Sequence, residues 1–163
     1  DYQIKRFIIF MKPNVDPRGA GWNIIQSKIA IGAGGIFGKG YLRGTQSHYR
    51  FLPQQSTDFI FSILSEEFGF LGCCLVFLLF LFIFIRTIII IRNSTSTYGA
   101  YIASGILGMF AFHFFVNVGM VMGMMPITGI PLSFLSYGGS SLLTSMSCIG
   151  LLMSINYRRK EIR

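Results

Sequence analysis

From Asn93 through Tyr157 the chain carries no Asp, Glu, Lys or Arg, and this interval limits what it can fold into. An uncharged apolar run of about 18 residues or more reads as a membrane-spanning helix. The interval is too long for one such helix and must hold two. A further uncharged run extends from Phe68 to Ile85. At roughly 1.5 Å per residue it covers about 27 Å, close to the hydrocarbon thickness of a bilayer. Hydrophobic residues make up 52% of the chain, charged residues 12%, and the mean hydropathy is +0.60. That is too little charge to solvate the surface of a soluble domain.

The pattern predicts an all-α polytopic membrane protein. Residues 1–57 are expected to form a basic, glycine-rich loop with short helices. Residues 58–163 are expected to hold three spans, at about 58–85, 98–122 and 140–157, followed by a basic tail. Ser56 or Thr57 is placed to cap the first span, because a side-chain oxygen there satisfies free backbone amides. Within the loop, residues 23–31 have the spacing for two turns of amphipathic helix. Residues 32–44 carry six glycines and read as coil. Residues 123–139, rich in Gly and Pro and uncharged, link the second and third spans. Irregular backbone at membrane depth needs protein or water around it, so a half-buried or re-entrant loop is expected there.

The net charge is +8, from 14 Lys and Arg against 6 acids. Such a balance favours acidic partners. The basic residues flank the spans, so phospholipid headgroups or a lipid-linked phosphate fit better than nucleic acid. Charge counting leaves orientation open. If residues 1–57 lie outside, that face carries more basic residues than the cytoplasmic one, against the positive-inside tendency. The dense basic tail from Arg158 argues the other way. Cys73, Cys74 and Cys148 lie in apolar runs and read as small apolar side chains. The chain opens at Asp1 without a signal-peptide pattern, so a long translocated loop implies a preceding segment.

Few residues carry chemistry. Asp58 opens the first span and reads either as a helix-start acid or as a general base at the membrane surface. Asp58, Ser62, Ser65, Gly69 and Gly72 share one helix face, with Glu66 beside it and Glu67 nearly opposite. An ionisable residue inside a membrane helix is costly and suggests function, unless the two glutamates sit at headgroup depth. The glycine run fits neither a Walker A loop nor a dinucleotide fingerprint. Its backbone amides, with Lys39 and Arg43 nearby, could still nest an anion. His113 and Asn117 share a face of the second span and read as interhelical hydrogen-bonding groups. Ser104 and Gly108 have the spacing for close helix contact. No spacing of His, Cys and acids suggests a metal site; no cofactor is implied, and a divalent cation stays open.

Several runs carry a resemblance. They are Gln26-Ser-Lys-Ile-Ala-Ile-Gly-Ala-Gly-Gly35, Gly38-Lys-Gly40, Gly44-Thr-Gln46, Phe51-Leu-Pro53, Thr57-Asp-Phe-Ile-Phe61 and Glu66-Glu-Phe-Gly69. The stretch from Asn117 through Pro126, Gly129, Pro131 and Ser136-Tyr-Gly-Gly-Ser-Ser141 continues it. Together they resemble the SEDS family of shape, elongation, division and sporulation proteins, nearest its rod-shape branch. The resemblance implies the C-terminal three spans of a bundle of about ten, with the large external loop before them.

The resemblance also implies an inverting peptidoglycan glycosyltransferase of the bacterial cytoplasmic membrane, polymerising lipid II on its outer face. It assigns the essential carboxylate to Asp58, and places residues 1–57 and 123–139 outside. Lys28, Lys39, Arg43, Arg50 and Glu66 become candidates for holding pyrophosphate or lipid II. Lipid-linked glycan and a class B penicillin-binding protein are the implied partners, the latter on the phenylalanine face Phe77, Phe80, Phe82 and Phe84. Where the family commonly has Pro-Glu-x-His-Thr-Asp, this chain has Pro53-Gln54-Gln55-Ser56-Thr57-Asp58. A flippase for the lipid-linked precursor and a non-catalytic scaffold are the competing readings. Three spans cannot bury the polar stripe of the first unaided, so the chain alone is expected to be inactive.

Overall fold

The computed structural model describes residues 20–41, 43–44 and 58–161. These form four helices and, among the described residues, no strand: α1 (Ala20–Gly34), α2 (Ile60–Arg92), α3 (Thr97–Val121) and α4 (Gly139–Glu161). The first span was expected to end near residue 85, but α2 continues to Arg92. The second and third match α3 and α4 to within a few residues. Among the described residues, only α2 and α3 are both long and apolar enough to cross a membrane. The length of α4 is comparable, but Ser140, Ser141, Thr144, Ser145, Ser147 and Ser154 dilute its apolar content.

The core between α2 and α3 is aromatic. Phe80 lies 4.6 Å from Phe114, and Phe77 meets Phe114 edge-on at 5.4 Å and stacks on Phe61 at 5.8 Å. Offset and edge-on ring pairs of this kind add to the area they bury. Phe80 is buried and Phe84 packs on the same cluster, whereas Phe77 and Phe82 remain exposed, so the expected phenylalanine face is divided between the core and the outside. A second cluster joins Ala103, Ile106 and Phe110 of α3 to Leu152 of α4. The side of α3 bearing Ser104 and Gly108 is exposed, with open space over Gly108, so close contact within the chain does not use it.

The segment after α3 turns back onto the helices. Phe134 inserts its ring between Phe110 and Phe80, at 5.3 and 6.4 Å. Phe110 lies eleven residues before the end of α3, or roughly 16 Å along its axis. Leu132, Ser133 and Ser136 are buried with it. Phe134 has φ 68°, a left-handed conformation rare for a bulky residue, tolerated because the ring is held on both sides.

Helix α1 has 15 residues where 23–31 were expected, because it starts three residues earlier, at Ala20, and the first glycines of the 32–44 run are helical. Ile24, Ser27, Ala30 and Gly34 recur at helical spacing and are buried against the other helices. The Ser27 hydroxyl donates to the Val121 carbonyl at 2.6 Å, satisfying an acceptor that the end of α3 leaves open. At Gly34 a β-carbon would collide with the Ser65 carbonyl, so only glycine lets α1 lie this close to α2.

Candidate active site

Two groups of candidate side chains form at the α1 end of the molecule. The first is built on a break in α2. Gly69 has φ 65° and ψ −158°, a conformation open to glycine alone, and splits α2 in two. In an unbroken helix the amides of Phe70 and Leu71 would donate to the carbonyls of Glu66 and Glu67. Here the turn after α1 takes their place. Lys39 and Gly40 amides donate to the Glu66 and Glu67 carbonyls, both at 3.0 Å. The amides of Phe70 and Leu71 donate in return to the carbonyls of Gly35 and Ile36, at 2.9 and 3.2 Å. A β-carbon at Gly38 would lie 2.7 Å from the Gly69 nitrogen, and one at Gly69 would lie 2.7 Å from the Ile36 carbonyl oxygen.

This clasp settles the role of the glycine run. The Gly38 amide donates to Gly34, and those of Lys39 and Gly40 to α2, so these amides are committed and form no anion nest. The clasp also covers the flanking acids. Glu66 is fully buried, Glu67 nearly so, and the Lys39 ammonium, 30% exposed, pairs with Glu66 Oε1 at 2.9 Å. The two glutamates therefore sit inside protein rather than at an open surface, although they point to different sides of α2.

The second group surrounds Asp58. It stands just ahead of α2, whose N-cap position is Phe59, with no side-chain capping bond there. Asp58 is 9% exposed. Its carboxylate faces the turn beyond α3, where a β-carbon on Gly129 would lie 3.4 Å from Oδ2. Gly129 has φ 72°, and no described side chain donates a hydrogen bond to the Asp58 carboxylate. Asn117 of α3 ties the two sides together, donating from Nδ2 to the carbonyls of Asp58 at 3.0 Å and Ile130 at 2.8 Å. The Ser133 hydroxyl lies 3.5 Å from Nδ1 of His113, one turn before Asn117 on α3.

The expected site residues thus divide. Lys39 and Glu66 meet each other, separated from Asp58 by roughly 9 Å of helix rise from Ile60 to Glu66. Lys28 is exposed on α1 and lies over Gly123, where a β-carbon would stand 2.6 Å from Nζ; no described carboxylate pairs with it. Arg43 is exposed beside Gly40. Arg50, like Ser56 and Thr57, falls outside the described residues. Gly129 was missed as a neighbour of Asp58, and its place between Pro126 and Pro131 in an uncharged loop was the available signal. Asn117 was seen only as a generic interhelical donor.

Residues 1–161 match the cell cycle protein family FtsW/RodA/SpoVE. The chain belongs to this family. It is 68% identical over 158 residues to peptidoglycan glycosyltransferase RodA of Treponema pallidum (strain Nichols), covering 97% of this chain and 36% of that protein. Identity to peptidoglycan glycosyltransferase MrdB of Escherichia coli (strain K12) is 46% over 162 residues, covering 99% and 44%. Stage V sporulation protein E of Bacillus subtilis (strain 168) is 45% identical, covering 95% and 42%. A solved structure described as "Structural coordination of polymerization and crosslinking by a peptidoglycan synthase complex" superposes with a TM-score of 0.78 at 30% identity. It covers 97% of this chain, which covers 42% of that one. The chain therefore spans less than half the length of the relatives it matches. Membership of the FtsW/RodA/SpoVE family, with two apolar helices of spanning length, makes this a membrane protein.

Proposed function

We propose that the full-length protein is an inverting peptidoglycan glycosyltransferase that polymerises lipid II during cell elongation, with Asp58 as its general base. The observation that carries this reading is the Asp58 carboxylate itself: largely buried, next to a glycine turn, and taken up by no described donor. The names of the RodA and MrdB relatives support the reaction class. In the proposed step the 4-hydroxyl of an incoming lipid II sugar attacks C1 of the growing glycan. The new C–O bond forms as the bond to polyprenyl pyrophosphate breaks, with inversion at C1. Asp58 takes the hydroxyl proton, and the pyrophosphate departs with the electron pair. A sugar hydroxyl is a weak nucleophile near neutral pH, and such a base is worth roughly 10²–10⁴ in rate.

The leaving pyrophosphate needs positive charge. Lys28 is a better candidate than Lys39, whose ammonium is already paired with Glu66. Arg43 and Arg50 remain candidates. In this reading the protein lies in the bacterial cytoplasmic membrane, α4 is the third span, and Asp58 and residues 123–139 belong to the outer face. A class B penicillin-binding protein docks its membrane helix on the exposed side of α2 or α3, in keeping with the synthase complex to which the fold is similar. The test is Asp58→Asn in the full-length protein, reconstituted with lipid II. Asn keeps the size but takes no proton, so assembly and partner binding should persist while polymerisation is lost. Near wild-type polymerisation would refute the base assignment.

A further inference from the structure

We propose that Asn117 is a positioning residue for Asp58: one amide nitrogen holds the backbone on both sides of the carboxylate, fixing its distance from the Gly129 turn. The inference rests on the reading of Asp58 as the base and names what sets its geometry. Asp58 precedes α2, so the helical ladder does not hold its carbonyl. The Ser62 amide, the ordinary helical donor to that oxygen, bonds Phe59 at 3.1 Å instead. Asn117 Nδ2 takes its place at 3.0 Å and reaches across to the Ile130 carbonyl at 2.8 Å. Ile130 follows Gly129, the residue that stands against the Asp58 carboxylate.

The orientation of the Asn117 amide follows from its partners. Both of its N–H groups point at carbonyl oxygens, and turning it over would set Oδ1 against two acceptors. That Oδ1 is fully buried and meets no hydrogen-bond donor among the described residues. An apolar side chain would avoid this cost, so what the position uses is the pair of donors. Asn117 is fully buried with its amide nitrogen committed to these two carbonyls, so its effect passes through Asp58. Displacing a catalytic group by about 1 Å can lower a rate roughly 10²-fold while leaving substrate contacts intact.

The experiment uses full-length protein reconstituted with lipid II, comparing wild type with Asn117→Ala, Asn117→Gln, Ser27→Ala and Asp58→Asn. For Asn117→Ala we expect kcat to fall roughly 10- to 100-fold with KM within about twofold. Asn117→Gln keeps the donors on a longer arm and should fall between Ala and wild type; it carries the test if Asn117→Ala does not assemble. Ser27→Ala removes another buried hydrogen bond at the same end of α3 without touching Asp58 or Ile130. It should keep kcat near wild type even where its thermal stability drops as far as that of the Asn117 variants. Wild-type kcat in an assembled Asn117 variant overturns the inference, as does a matching kcat loss in Ser27→Ala at equal stability. If Asp58→Asn polymerises normally, the base assignment itself fails; if Asp58→Asn is dead and Asn117 variants are normal, only the positioning role fails.

Discussion

Replacing Gly69 by alanine tests the clasp between the glycine turn and α2 most directly. Alanine does not adopt the Gly69 conformation, and its β-carbon would collide with the Gly38 amide and crowd the Ile36 carbonyl. The strain is relieved if α2 becomes continuous and the turn undocks. Four hydrogen bonds between the segments are then lost, and two helical bonds, Phe70 to Glu66 and Leu71 to Glu67, form in their place. At about 0.5–1.5 kcal/mol net each, the difference of two bonds is roughly 1–3 kcal/mol. Buried Glu66 also loses its ion pair with Lys39, which adds about 1–3 kcal/mol after allowing for the partial exposure of Lys39. A total of about 2–6 kcal/mol exceeds what most single substitutions cost. Amide hydrogen exchange on the full-length protein reads the mechanism residue by residue. Lys39 and Gly40 should lose protection by roughly 10²-fold or more, whereas Phe70 and Leu71 stay protected by the re-formed helix. Gly108→Ala, in open space, is the control and should change neither. Unchanged protection at Lys39 and Gly40 in Gly69→Ala would refute the clasp.

Lys39→Met alone should destabilise more than Lys39→Met combined with Glu66→Gln, because the double change leaves no buried carboxylate beside a missing ammonium; a thermal-unfolding cycle gives a coupling of about 1–3 kcal/mol. Phe134→Ala should cost about 3–5 kcal/mol by emptying the space between Phe110 and Phe80. Phe134→Gly should be no worse, reversing the usual order, because glycine is at ease at φ 68°; unfolding of the two variants side by side decides it. With Cys73, Cys74 and Cys148 replaced, an impermeant thiol reagent on intact cells should label a cysteine at 128 but not at 95 or 160. Labelling at 160 would overturn the third span.

How much of this was legible in the sequence depends on whether the information was local. The charge-free interval and the Phe68–Ile85 run specified α2 and α3, because transfer of apolar side chains decides those elements residue by residue. Asp58 was legible as a helix-start acid within a family motif. The break at Gly69 was not, because a lone glycine in an apolar run normally sits within a continuous helix at a modest cost. It breaks here only because Gly35–Gly40 arrives from elsewhere to satisfy the backbone. For the same reason the glycine run read as coil, although its first part is helical and its second part is fixed by α2. The depth of Glu66 and Glu67 could not be read either, since their burial comes from that distant turn. The inward turn of Phe80 and Phe84 was missed because the wholly apolar part of α2 carries no moment to say which side faces the core.

The clasp is made from main-chain atoms on both sides, so its specificity lies in shape and register more than in side-chain identity. The positions it constrains most tightly are those where a side chain must be missing, Gly38 and Gly69, and a change at either is felt by the other. Ile36 and Phe37, whose side chains are exposed, are freer to vary. Adding one residue between Gly34 and Gly40 would shift the donors of the turn past their acceptors on α2. The turn also precedes α2 in the chain, so the partner that will break the helix has been synthesised before the helix exists. The first form of α2 can be continuous, and its kink is then a product of assembly, written into the helix by a neighbour that was already waiting.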